Sequence, residues 1–263
     1  MKSIVKYSGI ARQSLLNAIQ YPANIISRLL MYSLFISVFF CLWGAIYQGG
    51  EVHGYSLVQM IWYLCFTELI VFCCRTTVYT QMNDDVKSGA IAYLLVRPCH
   101  YIIFQFCQSL GELCVNLVAF GSYAIVLALT YVGVLEGFSF YNMPYILISF
   151  ILGITLNFFM LISLGLTAFI WEENTGFYFV YQKLIFMLGM FIPLEFLPVW
   201  LQSIARMLPF SYVAWAPARL AVAYSSEFRD QVLPLQFLWV FASVWLAVFC
   251  YSRAVLHIQG QGG

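Results

Sequence analysis

Charged residues are scarce in this sequence. They make up 9% of its 263 positions, whereas hydrophobic residues make up 63% and aromatic residues 19%. A soluble globular chain carries about 25% charged residues, so this chain has too few charges to cover a water-facing surface. The composition predicts an all-α integral membrane protein. Six spans of about 20 residues each leave no stretch for a separate soluble domain, so residues 1–263 are interpreted as a single transmembrane domain.

Several functional signatures are also missing. The net charge is +1 and no dense stripe of Lys or Arg occurs, which argues against a nucleic-acid partner. The eight cysteines contain no CxxC pair and mostly lie in apolar runs, so neither a zinc site nor a disulfide framework is expected. The chain lacks G-x-x-x-x-G-K-[ST], the loop that holds ATP phosphates. We therefore expect no bound cofactor and no ATPase site in this chain.

The first 24 residues predict a basic amphipathic helix. Lys2, Lys6 and Arg12 alternate with apolar residues that recur at spacings of three and four. Such a helix lies along a membrane surface with its apolar side in the lipid. The sequence therefore divides into an interfacial helix at 1–24, a six-span bundle at 25–254 and a tail at 255–263.

Six apolar runs are interpreted as membrane spans. They cover residues 29–47, 55–74, 113–135, 143–171, 176–194 and 231–252. The fifth run is the weakest, because it contains Lys183 and closes with Pro193. Residues 195–230 hold three prolines and apolar runs of about ten residues, which are too short to cross a bilayer. They predict re-entrant exterior helices between spans five and six.

The distribution of cations predicts the orientation of the chain. Arg28 precedes span one, Lys87 and Arg97 follow span two, and Arg253 follows span six. Because cytoplasmic loops are enriched in Lys and Arg, both termini are expected in the cytoplasm. Arg206, Arg219 and Arg229, which would lie outside, oppose this orientation without outweighing it.

The most informative loop joins spans two and three. It contains a charged turn, a Ser88-Gly89 break and an apolar cluster that is closed by Arg97 and Pro98. An apolar face presented to the cytosol requires a partner groove. The alternative is a helix that lies on the lipid headgroups.

Residues 85–98, with the sequence DVKSGAIAYLLVRP, resemble the cytoplasmic signature of ABC-2 type ABC transporter permeases. The six-span layout, the amphipathic first helix and the proline-rich segment before span six are similar to that family as well. Val96 is a departure, because some relatives have the arginine directly after the leucines. The resemblance implies that the loop is a coupling helix that docks on a separate ATPase subunit. The coupling residues it implies are Asp84, Asp85, Lys87, Ser88, Gly89, Ile91, Tyr93, Leu94, Leu95, Arg97 and Pro98.

The same resemblance implies partners and a location. It implies two ATPase subunits, which use ATP and Mg, and a second permease that is either a copy or a different chain. It also implies export across a bacterial plasma (inner) membrane. The chain itself would be no enzyme.

Four charged residues fall within or beside the apolar runs. In the predicted orientation, Arg28, Glu68, Glu112 and Lys183 all lie in the inner third of the membrane. Unpaired charges at that depth cost a few kcal/mol, so we expect Glu68 to pair with Arg28 or Lys183 as an intramembrane charge gate. Alternatively, Arg28 and Lys183 extend to the headgroups.

Two other functional classes were considered. Because of Glu68, a proton-coupled secondary transporter or channel remains an alternative function, although the sequence shows no inverted repeat. A membrane-embedded enzyme would require a motif such as H-E-x-x-H or a nucleophile elbow. His53, His100 and His257 fall on separate segments, so this class is disfavoured.

Overall fold

The computed structural model describes residues 2–47, 50–74, 77–90, 99–169, 171 and 174–261, and these residues are mostly helical. The helices, in chain order, are α1 (Lys2–Gln20), α2 (Pro22–Ile46), α3 (Leu57–Cys73), α4 (Thr77–Lys87), α5 (Tyr101–Tyr131), α6 (Met143–Leu166), α7 (Thr175–Ile185), α8 (Val199–Arg206), α9 (Ser211–Val222) and α10 (Ser226–Gln261).

Five helical stretches of the described residues are long and apolar enough to cross a membrane. They are Pro22–Ile46, Leu57–Lys87, Tyr101–Tyr131, Phe140–Leu166 and Ser226–Val255. This supports a multi-pass membrane protein. They correspond to predicted spans one to four and six, although α5 begins twelve residues before the predicted start of span three at 113.

The predicted fifth span is shorter than expected. Helix α7 is followed by a π-helical turn, Phe186–Met190, in which Leu188 and Gly189 leave the helical backbone conformation. Gly189 has φ +156 and lies against Trp215, where an added Cβ would be 2.7 Å from that side chain's Cβ. These two short pieces fall below the 20 residues that a helical span needs. The six-span layout therefore remains a prediction.

Local sequence explains where the spans begin. Pro22 at the first turn of α2 lacks an N–H, so it separates α1 from α2 without losing a helical bond. Helix α3 begins with a capping box: Ser56 Oγ accepts from Gln59 N at 3.2 Å, and Gln59 Oε1 accepts from Ser56 N at 3.0 Å. This satisfies two backbone donors at the helix start.

Helix α1 packs closely against α5. Gly111 lies at the crossing, where an added Cβ would meet the Ala11 carbonyl oxygen at 2.2 Å. Ser14 Oγ donates a hydrogen bond to the Gln108 carbonyl at 2.7 Å. The amino terminus is helical over Lys2–Gln20, so α1 ends before residue 24, the predicted limit of the interfacial helix, and its placement along a membrane surface remains a prediction.

Helix α9 is at the centre of the molecule. Every residue of α9 except Arg219 is buried, and the helix packs against α3, α6 and α10. Pro217 lies inside it, so the Val213 carbonyl loses its usual helical donor. Gly153 of α6 lies beside this point, where an added Cβ would be 2.5 Å from Val213 O.

A buried polar network fixes α9 to its neighbours. Gln236 Nε2 of α10 donates to Tyr212 O at 2.9 Å and to Ser149 O at 3.2 Å, and Ser149 Oγ donates to Gln236 Oε1 at 2.7 Å. Gln236 and Ser149 are fully buried. Because each buried polar group finds a partner, the network specifies the arrangement of three helices.

Two ends of the bundle can be defined by contacts. At the terminal face, Tyr7 OH of α1 accepts from His100 N at 3.1 Å, and the His100 ring lies 4.8 Å from Tyr251 of α10. At the loop face, Tyr55, Glu195 and Arg219 meet.

Candidate functional site

Helix α4 lies at the terminal face and is held by an apolar cluster. Val78 and Met82 are fully buried. They pack with the start of α5, the end of α6 and the last turns of α10, including Tyr101, Ile162 and Ala254. Gly165 allows this approach, because an added Cβ would lie 2.9 Å from Met82 Sδ. One short helix therefore contacts three long ones.

A polar contact also joins α4 to α5. Tyr101 OH donates to Asp85 Oδ2 at 3.2 Å and accepts from Gln105 Nε2 at 3.1 Å. Gln105 is fully buried. Asp85 is therefore a structural contact between the two helices as well as a predicted coupling residue.

The chain turns sharply at the end of α4. Ser88 N and Ser88 Oγ both donate to Asp84 O, at 2.9 and 2.7 Å, and Gly89 N donates to Val86 O at 3.1 Å. Gly89 has φ +72, a left-handed conformation that glycine adopts without steric penalty. The predicted break at Ser88 and Gly89 is thus confirmed.

The exposed side of this turn consists of Asp84, Lys87, Ser88 and Gly89. The other predicted coupling residues, Ile91, Tyr93, Leu94, Leu95, Arg97 and Pro98, lie outside the described residues. The docking role of all these residues remains a prediction.

Arg28 has a role that the sequence did not indicate. Its guanidinium donates to the Phe72 carbonyl near the end of α3, and its carbon Cζ lies 5.0 Å from the centre of the Phe120 ring. Asn116 Nδ2 donates to the next carbonyl, Cys73 O, at 3.3 Å. These are carbonyls of the last turn, which have no intrahelical partner, and a cation there is favourable to the helix dipole. Arg28 therefore caps the carboxyl end of α3.

The four residues of the predicted charge gate do not form one cluster. Glu112 is the acidic group that interacts electrostatically with Arg28. Glu68 is 1% exposed, and neither carboxylate oxygen has a hydrogen-bond partner in the described part of the chain. Lys183 is exposed on α7. The Arg28 guanidinium instead donates to the Phe72 carbonyl. The expected pairing of Glu68 with Arg28 or Lys183 is therefore wrong for this conformation.

A second charged cluster lies at the loop face. Arg219 Nε of α9 is 2.9 Å from Glu195 Oε1, and the two side chains are 25% and 19% exposed. Tyr55 OH and Trp215 Nε1 each donate to Glu195 Oε2 at 3.3 Å. Burial, and then the charge of Glu195, raises the pKa of Tyr55 above its ordinary value, so the phenol remains a donor.

This cluster is not evident from the sequence. There Arg219 is an exterior cation, and Glu195 is the first residue of the predicted re-entrant segment 195–230. The two residues are 24 positions apart on different elements, so no local spacing connects them. Within the residues that the structure describes, no group of three or more His, Cys, Asp or Glu side chains is placed to hold a metal ion.

Comparison with known protein families shows which family this chain belongs to. A family model described as ABC-2 family transporter protein matches residues 26–262. The chain belongs to the ABC-2 family of transporter proteins. A comparison with curated proteins finds no significant match. As an ABC-2 family member, this protein is a membrane transport component, and its family generally associates with ABC ATPase subunits.

Proposed function

We propose that this ABC-2 protein is the permease subunit of an ATP-driven ABC exporter in a bacterial plasma membrane. It would form the translocation pathway with a second permease, and two separate ATPase subunits would supply the energy by hydrolysing ATP with Mg. The observation that carries this proposal is the position of α4, which contacts α5, α6 and α10 and ends in the exposed turn at Ser88 and Gly89. The family match supports the transport role.

In this proposal the terminal face is cytoplasmic. Both terminal helices and α4 meet there, and Lys6, Arg12, Lys87 and Arg253 belong to them. The excess of cations in cytoplasmic segments favours this orientation. Residues 84–98 would then point toward the ATPase subunits.

Movement of the ATPase would be transmitted through two contacts. The apolar packing of Val78 and Met82 connects α4 to α6 and α10, and the Asp85–Tyr101 hydrogen bond connects it to α5. Packed interfaces of this kind move as rigid bodies between alternative arrangements. Tilting α4 would therefore move three helices together and change access to the pathway.

The docking site can be tested with a double variant. Ile91→Asp with Leu94→Asp should abolish co-purification of the ATPase, because charged side chains cannot enter an apolar groove without losing solvation. Membrane insertion should be unchanged. Val199→Asp with Met207→Asp is the matched control, since these apolar side chains of the loop-face region are 78% and 74% exposed. Retained ATPase association in the first variant would contradict the proposed docking site.

A second candidate function is a proton-coupled secondary transporter. It is favoured by one observation, the buried Glu68 carboxyl, which has no hydrogen-bond partner among the residues that the structure describes, because intramembrane acids often mark proton pathways. The two functions differ in their energy source. Transport by the purified complex in vesicles that responds to ATP and not to an imposed pH gradient would support the exporter, and the reverse result would support the proton-coupled alternative.

A further inference from the structure

Helices α5 and α6 diverge and leave a long groove between them. Helix α5 packs mainly on α1, α2 and α3, while α6 packs mainly on α9, α10 and α4. The space between them has a volume of about 620 Å³, and its floor is formed by α3 residues that include Trp62, Phe66 and Leu69. The groove belongs to neither the α4 turn nor the Glu195–Arg219 cluster.

The groove is as long as the apolar part of a bilayer. Its lining on α5 runs from Phe106 to Leu129, which corresponds to about 35 Å of helix, and the hydrocarbon core is about 30 Å thick. Aromatic contacts mark both ends: Phe106 lies 5.2 Å from Phe158 at one end, and Phe138 lies 5.4 Å from Phe140 at the other. An acyl chain of one leaflet, which crosses about half of the hydrocarbon core, would fill about half of this length.

The lining is unsuitable for water. The hydroxyls on it belong to Ser109 and Thr155, and Thr155 already donates to Ile151 O at 2.7 Å. A buried water needs two to four polar partners, which these walls do not offer. Leu117 and Leu147, on the two rims, are 45% and 51% exposed, so the groove opens sideways toward the lipid.

One end of the groove carries a free polar group. Ser109 Oγ is buried and has no hydrogen-bond partner among the described residues. It lies one residue after Gln108, whose carbonyl accepts from Ser14 of the amphipathic helix α1. Helices of that kind lie at the boundary between headgroups and acyl chains, the depth at which the ester groups of a phospholipid are found. The groove is thus polar where an ester would lie and apolar beyond it.

We propose that this groove binds one acyl chain of a bilayer phospholipid from the leaflet at the terminal face, with Ser109 donating a hydrogen bond to its ester carbonyl. The bound chain fills the half of the groove that is nearer Ser109 and packs against the α3 residues Leu69 and Cys73. This inference is independent of the proposed function, because ATPase association is measured separately and does not depend on the groove.

The test uses the full chain in vesicles that contain phosphatidylcholine with a diazirine halfway along one acyl chain. After illumination, mass spectrometry locates the labelled residues. We expect label on α3 at Leu69 and Cys73, which line the half of the groove nearer Ser109 and are 8% and 1% exposed. Label confined to outward-facing residues of α5 and α10 would overturn the proposal.

Two sets of variants test whether the label on α3 comes from lipid in the groove and whether Ser109 contributes to its binding. Leu117→Trp with Ile154→Trp, at two lining positions nearer Ser109, fills this half of the groove, and we expect at least a fivefold loss of label on α3. Leu238→Trp with Leu246→Trp is the matched control on α10, where these leucines are 58% and 38% exposed, and it should leave the label unchanged. Ser109→Ala should reduce the label about twofold. The number of copies per vesicle provides a further test. If α3 is labelled in vesicles that hold one copy of the chain but not in vesicles that hold several, a second copy occupies the groove, and the proposal is overturned.

Discussion

Arg219 and Glu195 form an ion pair in which Nε lies 2.9 Å from Oε1. The pair joins α9 to the turn Leu194–Phe196, and hydrogen bonds from Tyr55 and Trp215 connect the same carboxylate to the start of α3 and to α9. The guanidinium carbon also lies 3.9 Å from the centre of the Phe228 ring at the start of α10. Three separate parts of the chain therefore meet at one carboxylate, and the start of α10 contacts its arginine partner.

Removing one charge of this pair should destabilise the fold. We expect Arg219→Gln to lower the free energy of unfolding by about 2–3 kcal/mol, because it leaves a largely buried carboxylate without its counter-charge. Thermal melting of the purified protein measures the effect. The double variant Glu195→Gln with Arg219→Gln should lose less than the sum of the two single variants. Additive losses would mean that the two side chains do not interact.

Gly111 should be intolerant of any side chain. In Gly111→Ala the new Cβ would lie 2.2 Å from Ala11 O, so α1 must move away from α5. We expect α1 to become accessible to protease added at its side of the membrane. Gly121→Ala is the control on the same helix, because nothing lies within 4 Å of its added Cβ. Equal protease sensitivity in both variants would contradict the close crossing.

Gln236 should be important for the packing of α9. Replacing it with leucine removes the second hydrogen bond to the Tyr212 carbonyl and leaves the buried Ser149 hydroxyl without its Gln236 acceptor, and a buried unsatisfied group costs about 1–3 kcal/mol. We expect a melting temperature several degrees lower for Gln236→Leu. Ser122→Ala serves as the control, since this exposed hydroxyl bonds only within its own helix. A melting temperature equal to that of the control would rule out a structural role for the network.

The contribution of Arg28 to stability should depend on Glu112 and not on Glu68. Arg28→Met removes the cap of α3, and we expect a loss of about 1–2 kcal/mol in stability. In double-mutant cycles, Arg28 should show a measurable coupling energy with Glu112 and almost none with Glu68. A strong coupling between Arg28 and Glu68 would restore the predicted charge gate in another conformation of the protein.

Loss of the Tyr101 hydroxyl should uncouple ATP hydrolysis from transport. Tyr101→Phe keeps the apolar packing of α4 but removes the hydroxyl between Asp85 and Gln105. We expect the ATPase to remain bound, with transport per ATP hydrolysed reduced severalfold in reconstituted vesicles. Tyr141→Phe is the matched control, because Tyr141 is 85% exposed in the loop between α5 and α6. Unchanged coupling in Tyr101→Phe would exclude the hydrogen bond from the transmission path.

Much of this fold was predictable because long apolar runs and helix breakers act locally. The Ser88–Gly89 break was predicted. The starts of α2 at Pro22 and of α5 at Tyr101 came earlier than the predicted starts of spans one and three at 29 and 113. The interruption of span five could not be predicted, since the π-helical turn at Gly189 depends on its contact with Trp215.

The charged sites were less predictable than the helices. The sequence placed Arg28 and Glu68 at similar depths, and pairing was the simplest way to neutralise both. In the structure the open carbonyls at the end of α3 compete for Arg28. Which acceptor a cation uses depends on the rotation and approach of two helices, and neither can be read from the spacing of residues along the chain.

The burial of α9 has a consequence for biogenesis. This helix is enclosed by α3 and α6, which precede it, and by α10, which follows it in the chain. Its final environment therefore does not exist until α10 has been synthesised. The nascent chain must keep a proline-containing segment in a provisional location, and a protein truncated before α10 would leave that segment exposed to quality-control proteases.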